Sequence, residues 1–217
     1  KMKTHPIVVS LLIITIYSFI ANFLFIPFLG FYNDDWLYSY KGHFYGIKEY
    51  IRLFSVDRPL LGYLFGLNHY LLQDNVLLWH IIMFFIKLMG GYLLFYILYK
   101  LWPKRLAAVT SITLLFLLYP GFLQQVVPLG DQNYIIDLTV WITSLTFTLL
   151  AFKSRHRAVF VLLSIIALIL QIISYFILEI FVSMEIFRWL LMNNLKHKVK
   201  YYIPYIGNLA IFLFWRV

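Results

Sequence analysis

Two adjacent carboxylates, Asp34 and Asp35, are the side chains of this sequence best suited to chemistry. Neighbouring carboxylates disfavour double ionisation, which raises one pKa and suits proton abstraction from a hydroxyl group. They could instead hold a divalent cation such as Mg²⁺ or Mn²⁺ through their oxygen atoms. A third interpretation is a helix cap, in which Asn33 or an aspartate accepts hydrogen bonds from free N–H groups and Trp36 anchors the interface. Because Trp36 can shield its neighbour, Asp35 is slightly favoured as the base.

The segment Asp57-Arg58-Pro59 is a second polar group. A guanidinium binds phosphate oxygens bidentately, so Arg58 is a candidate contact for a phosphate group, with Asp57 beside it. The alternative is a local ion pair that caps a helix, because Pro59 would be well tolerated in a first helical turn. The residue types alone leave both interpretations open.

Further candidate binding residues are spread along the chain. His69 and His80 lie on either side of a predicted turn, and each either binds a ligand or packs through hydrogen bonds. Asp131 lies in a polar segment before an apolar run, where it either lines a binding wall or caps a helix. Glu179 separates two apolar runs, as an exposed turn residue or as a further acidic member of the site. The candidate substrate-binding residues are therefore Trp36, Asp57, Arg58, His69, His80, Asp131 and Glu179.

The elements that must position these residues are membrane helices. Hydrophobic residues make up 63% of the chain, charged residues only 12%, and the mean hydropathy is +0.84. A soluble domain usually carries about twice that share of charge. The chain has no cysteine, which excludes disulfides, thiolate metal sites and cysteine nucleophiles.

Long apolar runs predict an all-α integral membrane protein, a multispan helical bundle of about six or seven spans, because one span needs about 20 apolar residues. Residues 1–217 are predicted to form a single transmembrane domain, and the apolar run at the end indicates the first part of a longer module. The outer loop 30–58 should carry juxtamembrane helices, and 60–73 is a surface or re-entrant helix, too short to span. Residues 121–129 are apolar enough to extend the third span or to dip back. The predicted spans are near 7–29, 76–99, 106–120, 134–152, 158–175, 177–193 and 202–217.

The basic residues predict the orientation, because short cytoplasmic loops carry an excess of lysine and arginine. With the N-terminus in the cytoplasm, eleven of the 18 basic residues fall on the cytoplasmic side. All nine acidic residues fall in outer loops or in spans, which indicates a polar site at the outer face. The net charge of +9 is then a topology signal with membrane lipids as neighbours, and not a nucleic-acid footprint. The eleven residues are Lys1, Lys3, Lys100, Lys104, Arg105, Lys153, Arg155, Arg157, Lys196, Lys198 and Lys200.

The order of these features resembles the GT-C superfamily of membrane glycosyltransferases. It is similar to bacterial relatives of the protein O-mannosyltransferases and to the tetratricopeptide-bearing O-mannosyltransferases. The resemblance covers roughly residues 7–195. The matching segments are Phe31-Tyr32-Asn33-Asp34-Asp35-Trp36, Asp57-Arg58-Pro59-Leu60, Trp79-His80-Ile81-Ile82, Leu118-Tyr119-Pro120 and Gly130-Asp131-Gln132-Asn133.

The resemblance implies a polyprenyl-phosphate sugar donor and an active site on the outer face of a bacterial cytoplasmic membrane. It implies an inverting transfer whose base is an aspartate of the first outer loop, which corresponds to Asp34 or Asp35. The acceptor would be a glycan, a lipid or a protein. Members of the family normally have more spans than this chain contains. They often have an outer soluble domain as well, which is missing from this sequence.

Two functions of other classes are also candidates. One is a transporter or flippase of lipid-linked sugars, and the other is a non-catalytic membrane assembly subunit. Transporters favour binding sites near mid-membrane with broken helices and paired repeats. This sequence has no evident repeat, and its polar residues cluster outside the spans, so the sequence favours the transferase.

Overall fold

The computed structural model describes residues 5–119, 127–194 and 199–216, without the side chain of residue 199. Within these ranges the regular structure is helical and contains no strand, so the predicted all-α class is confirmed. Short 3₁₀ segments occupy Phe23–Phe28 and Val199–Tyr201. The α-helices are α1 (Pro6–Asn22), α2 (Asp34–Tyr45), α3 (Ile47–Phe54), α4 (Pro59–Leu72), α5 (Val76–Leu101), α6 (Leu106–Leu118), α7 (Gln132–Lys153), α8 (Arg157–Ile177), α9 (Ile180–Ser183), α10 (Glu185–Asn194) and α11 (Ile203–Arg216).

Four helical segments of the described chain are long and apolar enough to cross a membrane. They are α1 with its 3₁₀ extension, α5, α7 and α8, and they correspond to the predicted spans near 7–29, 76–99, 134–152 and 158–175. The third and last predicted spans contain α6 and α11, of 13 and 14 residues. The end of the third span, most of its possible extension over 121–129, and the last residue of the seventh span lie outside the described residues.

The predicted span 177–193 is not one continuous helix. Helix α8 ends at Ile177, Leu178 is extended, and the chain continues through the four-residue α9 into α10. Two glutamates of this segment have different environments. Glu179 pairs with Arg58 near the surface, whereas Glu185 is buried against other helices. The helix is interrupted because the extended backbone of Leu178 ends α8 before Glu179 begins the next turn.

The long loop 30–58 contains α2 and α3, and segment 60–73 forms α4. Gly46, with φ of +70°, separates α2 from α3, because glycine adopts this left-handed conformation at little cost. Helix α3 packs on α4. A Cβ atom added to Gly62 of α4 would lie 2.7 Å from the Tyr50 carbonyl oxygen of α3, so only glycine permits this approach.

Side-chain contacts gather several distant segments at one end of the bundle, which we name the loop face. Arg58 pairs with Glu179, and Arg216 at the end of α11 donates to the carbonyl oxygen of Asp57. At the opposite end, Lys153 Nζ donates to the carbonyl oxygen of Lys100. The acidic loops and the basic loops of the described chain therefore lie at opposite ends of the helices. The loop face consists of residues 29–58, 73–75, 127–131, 178–179 and 216.

A buried ion pair fastens α10 to α7. Arg188 is 0% exposed, and its Nε atom donates to Glu185 Oε2 at 2.6 Å. Its terminal nitrogens donate to Thr148 Oγ1 at 2.6 Å and to Ser144 Oγ at 2.9 Å. The Tyr205 ring of α11 lies 4.8 Å from the guanidinium carbon. A charge in the apolar bundle is tolerated because its hydrogen-bond donors find acceptors.

We expect Arg188→Leu to destabilise the bundle by about 3–5 kcal/mol, because Glu185 would remain buried without its partner. The measurement is denaturant unfolding in detergent micelles. The matched control is Arg52→Leu, which removes an exposed arginine paired with Glu49 at the same i, i+3 spacing and should change the midpoint little. Equal effects of the two substitutions would contradict the assignment of Arg188 as a structural anchor.

Candidate functional site

The Asp35 carboxylate is a buried hydrogen-bond acceptor and not a free group at the surface. Its Oδ1 atom accepts from the backbone N–H groups of Leu129 at 2.9 Å and Gly130 at 2.6 Å. Its Oδ2 atom accepts from the N–H of Tyr32 at 3.1 Å. Burial raises the pKa of Asp35, and the three backbone hydrogen bonds act in the opposite direction. Asp35 therefore joins the loop before α2 to the loop before α7.

Asp34 has the opposite environment, because it is exposed at the first residue of α2. A Cβ atom added to Gly130 would lie 3.1 Å from the Asp34 Cβ atom, so the two loops touch here. Burial raises the pKa of Asp131, and the nearby charges of Asp34 and Asp35 raise it further. The structure thus brings Asp34, Asp35 and Asp131 together, and we name these three residues the acidic cluster.

The helix-cap interpretation of these residues does not describe their contacts. The side chains of Asn33 and Asp131 stand at the N-caps of α2 and α7, but neither makes a capping hydrogen bond. Among the described residues, no group of three or more His, Asp or Glu side chains is arranged to hold a metal ion. The Asp35 oxygens are both occupied by N–H donors, so the predicted sharing of a cation by Asp34 and Asp35 gains no support from their geometry.

His80 and Trp36 support the start of the same loop. His80 is buried near the start of α5, and its Nε2 atom donates to the carbonyl oxygen of Gly30 at 3.0 Å. Trp36 is exposed and meets Phe31 edge to face, with ring centroids 5.9 Å apart. The contacts of His80 are those of a hydrogen-bonded packing residue, one of its two predicted roles.

Arg58 forms the second group at the loop face. Its Nε and Nη2 atoms each donate to one oxygen of Glu179 at 3.1 Å. Its Nε atom also lies 3.8 Å from an oxygen of Asp57, and Arg216 Nη2 lies 3.8 Å from Glu179. Burial acts to raise the pKa of Glu179, but the hydrogen bonds from Arg58, a backbone hydrogen bond and the charges of Arg58 and Arg216 together leave the pKa below the ordinary value. Pro59 begins α4, as the ion-pair interpretation predicts.

Tyr38 connects the two groups, and sequence reasoning did not select it. Burial raises the pKa of Tyr38, and the charges of Asp34 and Asp131 raise it further, whereas Arg58 lowers it. Tyr38 therefore lies within electrostatic range of both the acidic cluster and the guanidinium. The available signal was its position on α2, four residues after Asp34, which places it on the same side of the helix.

His69 lies in a separate pocket of about 490 Å³. It is buried against Gly42 of α2, and its Nδ1 atom has no hydrogen-bond partner in the described part of the chain. Burial lowers the pKa of His69. The pocket wall also contains Asp74, which accepts hydrogen bonds from Ser39 at 2.6 Å and His43 at 2.8 Å, assuming the His43 tautomer that donates. Sequence reasoning did not select Ser39 and His43 as partners of Asp74, although the two residues share one face of α2.

No family model, curated protein or solved structure matches this chain.

We expect Asp35→Asn to lower the free energy of unfolding by about 1.5–3 kcal/mol, because hydrogen bonds to a charged acceptor are lost and an amide NH₂ would face N–H donors. Thermal unfolding of the purified protein measures this change. The matched control is Asp57→Asn, since Asp57 is partly exposed and forms an ion pair with only one basic residue, Arg58, among the described residues. If Asp35→Asn were as stable as Asp57→Asn, the hydrogen bonds of Asp35 between the two loops would contribute nothing to the free energy of unfolding.

Proposed function

We propose that this protein is a GT-C-type membrane glycosyltransferase that moves a sugar from a polyprenyl-phosphate donor to an acceptor. The observation that carries the proposal is that an exposed carboxylate, Asp34, and a guanidinium, Arg58, both lie within electrostatic range of Tyr38 at one end of an apolar helix bundle. A base and a phosphate-binding cation are the two groups that an inverting transfer from a phosphate leaving group requires. The acceptor is a glycan, a lipid or a protein.

In this proposal Asp34 is the base and Asp35 is its positioning neighbour. A general base must reach the proton that it abstracts, and the Asp35 oxygens are buried and occupied by backbone donors. Asp34 is exposed and is held in position because Asp35 fixes the first turn of α2 against the Gly130 loop. The burial of Asp35 reverses the slight preference for Asp35 that Trp36 suggested.

The reaction balances with these groups. The acceptor oxygen attacks the anomeric carbon of the sugar, while Asp34 takes the proton of the acceptor hydroxyl. The bond from the anomeric carbon to the phosphate oxygen breaks, and polyprenyl phosphate leaves with the electron pair. Arg58 would stabilise the charge that develops on the leaving phosphate, because its planar fork matches phosphate oxygens.

We further propose a bundle of six or seven spans in a bacterial cytoplasmic membrane, with the N-terminus in the cytoplasm and the loop face outside. The positive-inside rule supports this orientation, since Lys100 and Lys153 lie at the end opposite the acidic cluster. A donor with a polyprenyl tail would reach the loop face from the lipid.

A flippase for lipid-linked sugars is the second candidate, and one cavity favours it. This cavity, of about 580 Å³, lies between α5, α7 and α10 and is lined almost entirely by apolar side chains such as Ile97, Trp141 and Leu191. It would suit a lipid tail. A flippase must also move a hydrated sugar phosphate across the bilayer, and the lining of this cavity gives a sugar few hydrogen-bonding groups.

We expect Asp34→Asn to lower transferase turnover by about 10²–10⁴-fold, because the amide keeps the size of the side chain but removes its basicity. The measurement is transfer from a panel of labelled polyprenyl-phosphate sugars in membranes that contain the intact protein. The matched control is Glu49→Gln, a carboxylate in α3 that pairs with Arg52. A double Asp34→Asn, Asp35→Asn variant that transfers at the parent rate would refute the catalytic role.

Substitutions of Arg58 and of Glu179 should have different effects on donor binding. If Arg58 holds the donor phosphate, Glu179 competes for the same nitrogens, so Glu179→Gln should tighten donor binding or leave it unchanged. Arg58→Lys should weaken donor binding although it keeps the charge, because the fork is lost. Donor binding to membranes that contain each variant measures both effects. Unchanged donor affinity in Arg58→Lys and Arg58→Ala would make the pair a structural link only.

A further inference from the structure

A group of buried oxygen atoms lies between α7 and α8, away from the contacts described so far. Both carboxylate oxygens of Asp137 are buried and have no hydrogen-bond partner in the described part of the chain. The same holds for Asn133 Oδ1 and Ser174 Oγ. The three residues are at least nine-tenths buried, with exposures of 0% for Asp137 and Ser174 and 6% for Asn133.

These residues share one region of the helix interface. Asn133 and Asp137 are separated by four residues on α7 and so lie on the same face, one turn apart. The Ser174 hydroxyl of α8 and the backbone amide of Leu178, the residue after α8, both lie next to the Asp137 carboxylate, although neither makes a hydrogen bond of standard geometry with it. The site therefore contains a carboxylate, an amide oxygen and a hydroxyl oxygen, and neither carboxylate oxygen makes a hydrogen bond of standard geometry within the described residues.

No basic side chain of the described residues neutralises Asp137. No ion pair joins Asp137 to lysine, arginine or histidine in these ranges, and no charged group acts on its carboxylate. Arg58, at the loop face, donates both of its hydrogen bonds described above to Glu179 and not to Asp137. A carboxylate inside an apolar bundle is costly without compensation, so it is neutralised either by its own proton or by a cation.

The chemistry of the donors selects the kind of cation. The four atoms are all oxygens, which suit hard cations, whereas zinc prefers nitrogen and sulfur ligands. One carboxylate supplies one negative charge. A divalent ion would leave an uncompensated positive charge in a medium of low dielectric constant, whereas a monovalent ion leaves the site neutral.

Asp137 lies six residues into α7 from Asp131, about 9 Å along the axis, so the ion would enter from the loop face.

We propose that Asn133, Asp137 and Ser174 form a binding site for a small monovalent metal cation, Na⁺, between α7 and α8. The bound ion connects the two helices at the point where α8 ends and the chain turns toward Glu179. This inference is independent of the proposed transferase activity, because it concerns ion binding and stability alone.

The experiment measures Na⁺ binding and its effect on unfolding. The purified protein in lipid nanodiscs is titrated with ²²Na⁺, and its thermal unfolding is compared in sodium chloride and in N-methylglucamine chloride at equal ionic strength. An ion that binds only the folded state at ten times its Kd favours folding elevenfold, which raises Tm by about 3–6 °C for a chain of this size. We expect this rise in the parent protein, a smaller rise in Ser174→Ala and none in Asp137→Asn.

The control variant Glu49→Gln removes a carboxylate outside the helix interface and should keep the full Na⁺ response. If Asp137→Asn does not fold, ²²Na⁺ binding to the parent and its weakening in Ser174→Ala decide the question. A parent protein that neither binds ²²Na⁺ nor responds in Tm overturns the proposal, and Asp137 is then neutral through its own proton. A response to Mg²⁺ without one to Na⁺ overturns the monovalent assignment, and an undiminished Na⁺ response in Asp137→Asn overturns the site.

Discussion

The hydrogen bonds accepted by the Asp35 carboxylate are the interaction on which the loop face depends. They connect the turn before α2 with the turn before α7, two segments about 95 residues apart in the chain. A buried carboxylate is unfavourable unless its lone pairs are satisfied, and backbone N–H groups can satisfy them only if both turns keep one conformation. The position of Asp34 beside the Gly130 loop follows from that requirement. One buried charge thus organises the exposed charges around it.

Three buried acidic residues of this bundle illustrate different ways to accommodate a carboxylate. Asp35 accepts backbone N–H groups, and Glu185 pairs with Arg188, whose remaining donors reach Ser144 and Thr148. Asp137 has neither solution among the described residues. The first two carboxylates hold segments of the chain together through contacts within the protein. The third differs from them in a way that a bound cation would explain.

The helices follow from the apolar runs because a backbone in a membrane must satisfy its own hydrogen bonds, and a helix does so locally. That is why hydropathy located α1, α5, α7 and α8 closely. Over 177–193 the mean hydropathy is apolar, but the chain is not one continuous helix, and Glu179 and Glu185 have partners in different places. A hydropathy value averaged over a window does not show that Glu179 pairs near the surface and that Glu185 pairs inside the bundle.

The sequence by itself determined the helical class, the separation of acidic from basic loops and the selection of Asp34, Asp35 and Arg58 as candidates, because these depend on residue type and local spacing. Which aspartate is exposed was decided only by the tertiary structure. Asp34 and Asp35 are equivalent in sequence, and their difference comes from Leu129 and Gly130, whose N–H groups meet Asp35 only after α5, α6 and α7 have packed. The pairing of Arg58 with Glu179 has the same origin. Contacts between distant segments depend on how the helices pack, so local sequence patterns do not predict them.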